Sequence, residues 1–442
     1  MSERQSMFVR IIAIAMIVLA FGLYIYSNRS SVFAPESEMV GFVHKFKPIT
    51  YDYNAQAGFY SGGRGYFYFY ARNSISYRDS SAEVVWVEQH DLSNPLAFGA
   101  GDYLVLSELQ GNSVRVYAPD GLRHIKYFDH PVIHFNINES GFCTIRIQEG
   151  TGYRMWIYDV DGAETYMRFH GTANVFPMAS AVSLNGRELA ISLLDVNGVN
   201  IQTHLLLSHV LEKRSIADSV GEWGGYRKDK QIIASLKYNG NNDLLTASDV
   251  EIAHYRITGD GRSSKAATVE LGNYVSELAY MGDAGVVLAL GRGIPELDSF
   301  AENTVQFYDG SLELLGSFTA PRAISYLHAG RQGAIVGAGS YYGFNAEGVL
   351  QWQYHTPREL KQLIYINGTD TILEAGFTEA RILRRERLTG SDSAQPDPAM
   401  TPVHYETEDL TKPIETSQPI EPVVPTESFK SDEAIEEEGS LH

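Results

Sequence analysis

The residues able to do chemistry are few and scattered along the chain. His130 and His134 stand four apart around Pro131; in an extended strand an even separation puts both imidazoles on one face, a geometry some metal sites use. No third ligand follows at a clear spacing, so a structural role is expected for both. Asp159-Val160-Asp161-Gly162 begins like a calcium loop, but the third acidic position and the distal Glu are missing, and a chain turn accounts for the same residues. Gly62-Gly63-Arg64-Gly65 leads into a strand-like run, whereas a phosphate loop must open a helix. Cys143 is the only cysteine and lies in the alternating run 142–147, where it reads as a small buried hydrophobe. One thiol also excludes an intramolecular disulfide and every site needing two thiolates. With no Gly-x-Ser-x-Gly elbow and no His-Glu-x-x-His, the expectation is no catalytic residue, no metal ligand set and no cofactor.

What could position any site is a β architecture. Of 442 residues, 44% are hydrophobic and 12% aromatic, enough to build a large core. The net charge of −19 argues against a nucleic-acid partner, which needs a Lys/Arg excess on one face. From residue 41 to 389 helical periodicity is almost absent, and runs of four to seven residues such as 66–70, 103–106, 190–194, 232–236, 286–290 and 334–337 have strand length and strand composition. Between them a corner recurs, in which an aromatic strand end meets Asp or Asn and then Gly, because a tight turn needs residues that tolerate positive φ. It ends at Gly121, Gly162, Gly261, Gly310 and Gly348, in steps of 41, 99, 49 and 38. The long step holds a degenerate corner at 207–212, and an upstream copy lies at 77–81, so seven corners repeat about every 44.5 residues, the length of a four-stranded propeller blade. An eighth unit, 363–383, lacks its outer strand, while Phe42-Val43-His44-Lys45-Phe46 alternates like a strand and has no partner nearby. Supplying that strand to the eighth unit would close the ring and remove an edge. The fold class is therefore all-β, a β-propeller of eight blades, with seven as the alternative if the degenerate corner is an insertion.

The corner motif, as in Tyr158-Asp159-Val160-Asp161-Gly162 and in Phe344 to Trp352, resembles the WD40-like and quinoprotein-like β-propellers. Together with the segments described next, the chain is similar to uncharacterised membrane-anchored propeller proteins of Gram-positive bacteria. The resemblance covers about residues 8–389 and implies a fold, a membrane anchor and an envelope location; four Trp and a single Cys speak against a bound quinone. In such a ring most of the 27 tyrosines, Tyr66 to Tyr70 among them, are expected to wedge between blades, and Tyr341 and Tyr342 to lie on face loops as contact residues.

Residues 11–26 are sixteen uncharged and largely apolar positions, extended past Arg10 by Met7-Phe8-Val9, and read as an uncleaved transmembrane signal anchor. Arg4 and Arg10 precede it, while Tyr24 and Tyr26 end it and Glu36 and Glu38 follow, which places residues 1–10 in the cytoplasm and the rest outside. The competing reading is a cleavable signal peptide, although no Ala-x-Ala follows the apolar run. After a linker, 27–40, the propeller spans 41–389. Residues 391–442 hold 13 Asp and Glu against 2 Lys, with seven prolines from 390 onward, and are expected to form a disordered acidic tail. The function this supports is a membrane-tethered, extracytoplasmic binding or scaffold module for an envelope protein or cell-wall glycan. The alternative is a glycan hydrolase or lyase with its site at the channel, which a cluster of carboxylates with a His or Tyr there would favour.

Overall fold

The computed structural model describes residues 40–387, apart from 45, 109, 171–173, 211–221, 259–262, 272–273, 284 and 292–302. The anchor at 11–26 and the acidic tail lie outside the described residues. Residues 401–442 separate from 1–400 as a second unit and are likewise outside.

Among the described residues thirty-three strands, β1 to β33 in chain order, form eight antiparallel sheets. Each sheet has four strands in the order A, B, C and D, with the two-residue β2 (Ile49–Thr50) added beside the last strand of the chain in one of them, and the eight make an eight-bladed β-propeller. Blades 1 to 7 occupy 58–89, 95–127, 132–170, 175–229, 233–270, 274–319 and 326–354. Blade 8 takes β31 (Gln362–Tyr365), β32 (Thr371–Ala375) and β33 (Glu379–Arg387) from the end of the chain and β1 (Val40–His44) from its beginning. β1 runs antiparallel to β33, from Val40 opposite Arg387 to His44 opposite Leu383. Phe42 is buried there, edge-on to the rings of Trp352 and Tyr354 of blade 7. The sequence corners are the C–D turns of blades 1 to 7. Seven corners thus serve eight blades, because the blade closed by β1 has no C–D turn to display.

A meander puts all A–B and C–D turns on one face of the ring, here called the hairpin face, and all B–C turns and D-to-A crossings on the other, the crossover face. The C–D corners are held by their leading carboxylate or amide. Asp159 Oδ1 accepts the backbone N–H of Asp161 at 3.1 Å and of Ala163 at 2.7 Å. Asp309 does the same for Ser311 and Glu313 at 2.9 and 2.8 Å, and Asn345 for Val349 at 2.8 Å. These side chains mimic a strand end, which is why Asp and Asn recur there. The degenerate corner joins β17 (Gln202–His209) to β18 (Glu222–Asp229) in blade 4, and its lack of Gly goes with a longer connection, of which 211–221 are not described.

Tyrosines bind blade to blade. The Tyr68 hydroxyl donates to Asp102 O at 2.7 Å, Tyr326 to Leu363 O at 2.9 Å and Tyr226 to Ser263 O at 2.9 Å, each in the next blade. A hydroxyl buried between sheets must find a partner, and a neighbour's strand carbonyl is the nearest acceptor. Phe67 and Tyr68 are fully buried as expected, while Tyr66 stays partly exposed and stacks on Tyr77. Tyr341 and Tyr342 correct the expectation of face-loop contacts: both belong to β29 (Tyr341–Asn345), and Tyr342 is buried against Phe318. They sit at the start of a C strand, whose every second side chain must point into the blade interface.

Candidate functional site: the central channel and the two faces

The innermost strands of the eight blades surround a cavity of about 380 Å³. Its wall is part aromatic, from Tyr60, Phe98 and Tyr280, and part polar, from Ser235, His328 and Asn367. Tyr60 lies over Gly99 of the next blade, where an added Cβ would collide with the ring, so a side chain at 99 is incompatible with this wall. The Tyr280 hydroxyl meets Ser235 Oγ at 2.8 Å, and burial pushes its pKa up to about 12. The Lys237 ammonium stands 5.3 Å over the Tyr280 ring.

At the hairpin-face end the A–B turns carry charges into the channel. Glu139 of blade 3, mostly buried, accepts from Lys237 Nζ of blade 5 at 3.4 Å and from Arg331 Nη2 of blade 7 at 3.1 Å. Lys237 also donates to Gly282 O of blade 6 at 2.8 Å. Asp283 lies within hydrogen-bonding reach of Glu139, and burial followed by the Glu139 charge raises its pKa. Blades 3 and 7 are diametrically opposed in an eight-blade ring. The Glu139 to Arg331 pair therefore spans the channel and plugs it at this face.

His328 is the imidazole of the cavity wall, half-buried on β27 (Tyr326–Gly330), its pKa lowered to about 4 by burial alone. In the unfolded chain the imidazole takes its proton at about 6.5, so as pH falls the unfolded state gains a proton first. Stability from this group is complete above pH 6.5 and is lost between there and about pH 4. Replacing His328 with Gln is expected to remove roughly 1–2 kcal/mol of that acid loss, a figure reduced from the full linkage value because the cavity admits water. Denaturant titrations of both proteins at pH 7 and pH 4.5 check it; parallel losses in the two would refute it.

The crossover face carries exposed apolar groups. In blade 4 the B–C loop presents Val196, Val199 and Ile201, with Val199 fully exposed. The loop is tied down by the Val196 N–H donating to Asn174 O at 3.0 Å and by Asn174 Nδ2 donating to Asn197 Oδ1 at 2.9 Å. Phe176 stands beside it and meets Tyr153 of blade 3 edge-on, with ring centroids 6.4 Å apart. On blade 8 of the same face Tyr53 is exposed and stacked on Phe377, and Lys361 Nζ lies 4.8 Å over the Phe377 ring.

Of the residues that drew attention in the sequence, few meet. His130 is exposed in the connection before β11 (Val132–Ile137), while His134 lies within that strand, half-buried, its pKa lowered to about 4 by burial and by Arg146. Asp159 and Asp161 form a C–D turn. The 62–65 segment is the A–B turn of blade 1 and leads into a strand, the Gly62 N–H donating to Tyr66 O. Cys143 is buried in β12 (Cys143–Glu149), its pKa pushed up to about 12 by burial. Among the described residues no group of three or more His, Cys, Asp or Glu is arranged to hold a metal ion. The channel residues Glu139, Lys237, Asp283, Arg331 and His328 carried no sequence signal beyond the small turns they adjoin, Gly282-Asp283 and Gly330-Arg331 among them.

The chain is similar to several solved structures at low identity. Sqt1 from Chaetomium thermophilum matches with a TM-score of 0.45 and 12% identity, over 77% of this chain and 100% of that one. BBS1N in complex with ARL6DN matches at 0.41 and 11%, over 79% and 98%. Raptor from Chaetomium thermophilum matches at 0.40 and 10%, over 82% of this chain and 31% of that one. No curated protein matches the chain. A family does: residues 50–375, from the entry into blade 1 to the second strand of blade 8, match the family of unknown function DUF5711, and the chain belongs to it.

Proposed function

We propose that this protein is a membrane-tethered, extracytoplasmic binding module that holds an envelope protein or a cell-wall glycan on its crossover face. The propeller is a binding-type or scaffold-type fold. The observation that carries the reading is the exposed apolar group of Val196, Val199, Ile201 and Phe176, which the B–C loop and the first strand of blade 4, tied together through Asn174, present to solvent. Apolar residues clustered on a tethered loop mark contact surfaces more often than singly scattered ones do. Substituting Val199 by Asp together with Phe176 by Ala is expected to weaken retention of the captured envelope partner about tenfold or more, the effect of losing one or two interface anchors. Retention of envelope protein or cell-wall material by the purified full chain, measured for both proteins, is the test. Unchanged retention would remove this face from the reading. The apolar span 11–26 supports the tether, and protease added to intact spheroplasts is expected to digest the propeller while residues 1–10 stay protected.

A second reading rests on one observation: Glu139 and Asp283 meet at the channel end, with Tyr60 and His328 in its wall. Such a group fits a glycan hydrolase or lyase. Lys237 and Arg331 neutralise the carboxylates, which favours a structural plug over a general acid. Turnover of cell-wall glycan that disappears in Glu139→Gln and in Asp283→Asn would promote the enzyme reading.

A further inference from the structure

The hairpin face has apolar groups of its own, and their distribution around the ring is uneven. Just after the C–D turns, Leu314 and Leu315 of blade 6 are 56% and 42% exposed, Val349 and Leu350 of blade 7 are 44% and 43%, and Val84 and Val85 of blade 1 are 49% and 54%. The equivalent corner positions of blade 2 are Leu122, half-buried, and Arg123; those of blade 3 are Glu164 and Thr165; those of blade 5 are Ser263 and Ser264. Among the described corners the apolar ones thus occupy blades 6, 7 and 1, an arc that includes blade 8. Gly316 lies against Gly348, so the corners of blades 6 and 7 adjoin.

Blade 8 is also where the chain arrives from the proposed anchor. β1 begins at Val40, paired with Arg387, and Arg385 N–H donates to Asp370 O beside the A–B turn. Val40 therefore stands on the hairpin face, within the apolar arc. Thirteen residues, 27–39, separate it from the end of the apolar span. A chain of that length reaches at most about 45 Å, and about 20 Å on average when flexible.

Resting on the tether reading above, we propose that the arc formed by the corners of blades 6, 7 and 1 seats on the lipid bilayer, so that the hairpin face with its plugged channel end faces the membrane and the crossover face points away. Half-exposed Val and Leu side chains gain by entering the interfacial layer, and the short linker holds them at high effective concentration beside it. The occupant is the bilayer surface because the chain enters within the arc, at blade 8, where the linker leaves least room for a second macromolecule. The arrangement leaves the Val199 patch open to a partner.

The test uses the full chain in vesicles of phosphatidylcholine and phosphatidylglycerol carrying nitroxide on a fraction of the headgroups. Cys143 is completely buried, so an environment-sensitive fluorophore reports only on introduced cysteines, placed singly at Leu315, Val349, Val199 or Val250, the last exposed in the B–C turn of blade 5 on the crossover face. Expected is quenching at 315 and 349 and none above the lipid-free level at 199 and 250, with Leu315→Asp plus Val349→Asp abolishing the quenching of a label at Val85 while the protein still floats with the vesicles. A protein that floats but is quenched equally on both faces, or more at 199, overturns the orientation and leaves the tether standing. A protein that does not float overturns both.

Discussion

A chain that begins at Pro48 is expected to aggregate or unfold well below the temperature tolerated by one that begins at Glu38. The difference between them is β1, whose five residues are all paired with β33. Without it the last five residues of β33, Leu383 to Arg387, become a bare edge, since β2 (Ile49–Thr50) covers only Ala380 and Glu379, and an unpaired edge of that kind is a template for another chain. The loss reaches into the neighbouring blade, since Phe42 covers Trp352 and Tyr354. A gentler probe is Phe42→Ala in the full chain, expected to cost about 3–5 kcal/mol for a buried phenyl ring with two aromatic neighbours. Thermal and denaturant melts of the two truncations and the point variant measure this. Equal stability of the truncations would mean that blade 8 is stable as three strands and the ring does not depend on its closure.

The second large effect is expected at a glycine. Gly285, the first residue of β24 (Gly285–Gly291), has φ +147°, and a Cβ there would overlap the carbonyl oxygen of Tyr308 on the paired strand and come within 2.9 Å of the Asp309 Cα. Backbone cannot move aside without breaking the ladder between β24 and β25 (Thr304–Asp309). Gly285→Ala is therefore expected to cost about 4 kcal/mol or more, the range reserved for a named steric mechanism. Gly121 is the control. Its φ is +123°, but nothing lies within 4 Å of a Cβ built on it, so Gly121→Ala should show only the conformational cost of about 1–2 kcal/mol. Denaturant midpoints of the two variants separate strain from collision, and similar losses in both would show that conformation alone explains them.

These two glycines also show where sequence reading succeeds and where it stops. Gly121 was legible because it closes a Pro-Asp-Gly corner between two strand-like runs, and the turn chemistry that places it is local. Gly285 also lies between the small turn Gly282-Asp283 and the run 286–290, but nothing local marks the collision, which comes from a strand more than twenty residues away. The same division separates the corners from the channel. Asp79, Asp159, Asp309 and Asn345 satisfy backbone groups within four residues of themselves, so their spacing carried the repeat and with it the blade count. Glu139 finds Lys237 and Arg331 across the ring, 98 and 192 residues on. No spacing rule connects partners that only closure of the circle brings together.

Alternation, turn residues and repeat length act over tens of residues at most, and so an all-β chain of regularly spaced units, an unpaired strand at 42–46 and a last unit lacking one were legible without any coordinates. Tertiary structure decided why eight blades carry seven corners, that Tyr342 is a core residue, that a Glu139 pair plugs the channel, and that exposed apolar side chains stand at blade 4 on one face and at the corners of blades 6, 7 and 1 on the other. Those outcomes depend on which blades become neighbours or opposites, and that is set by ring closure through the β1 and β33 pairing.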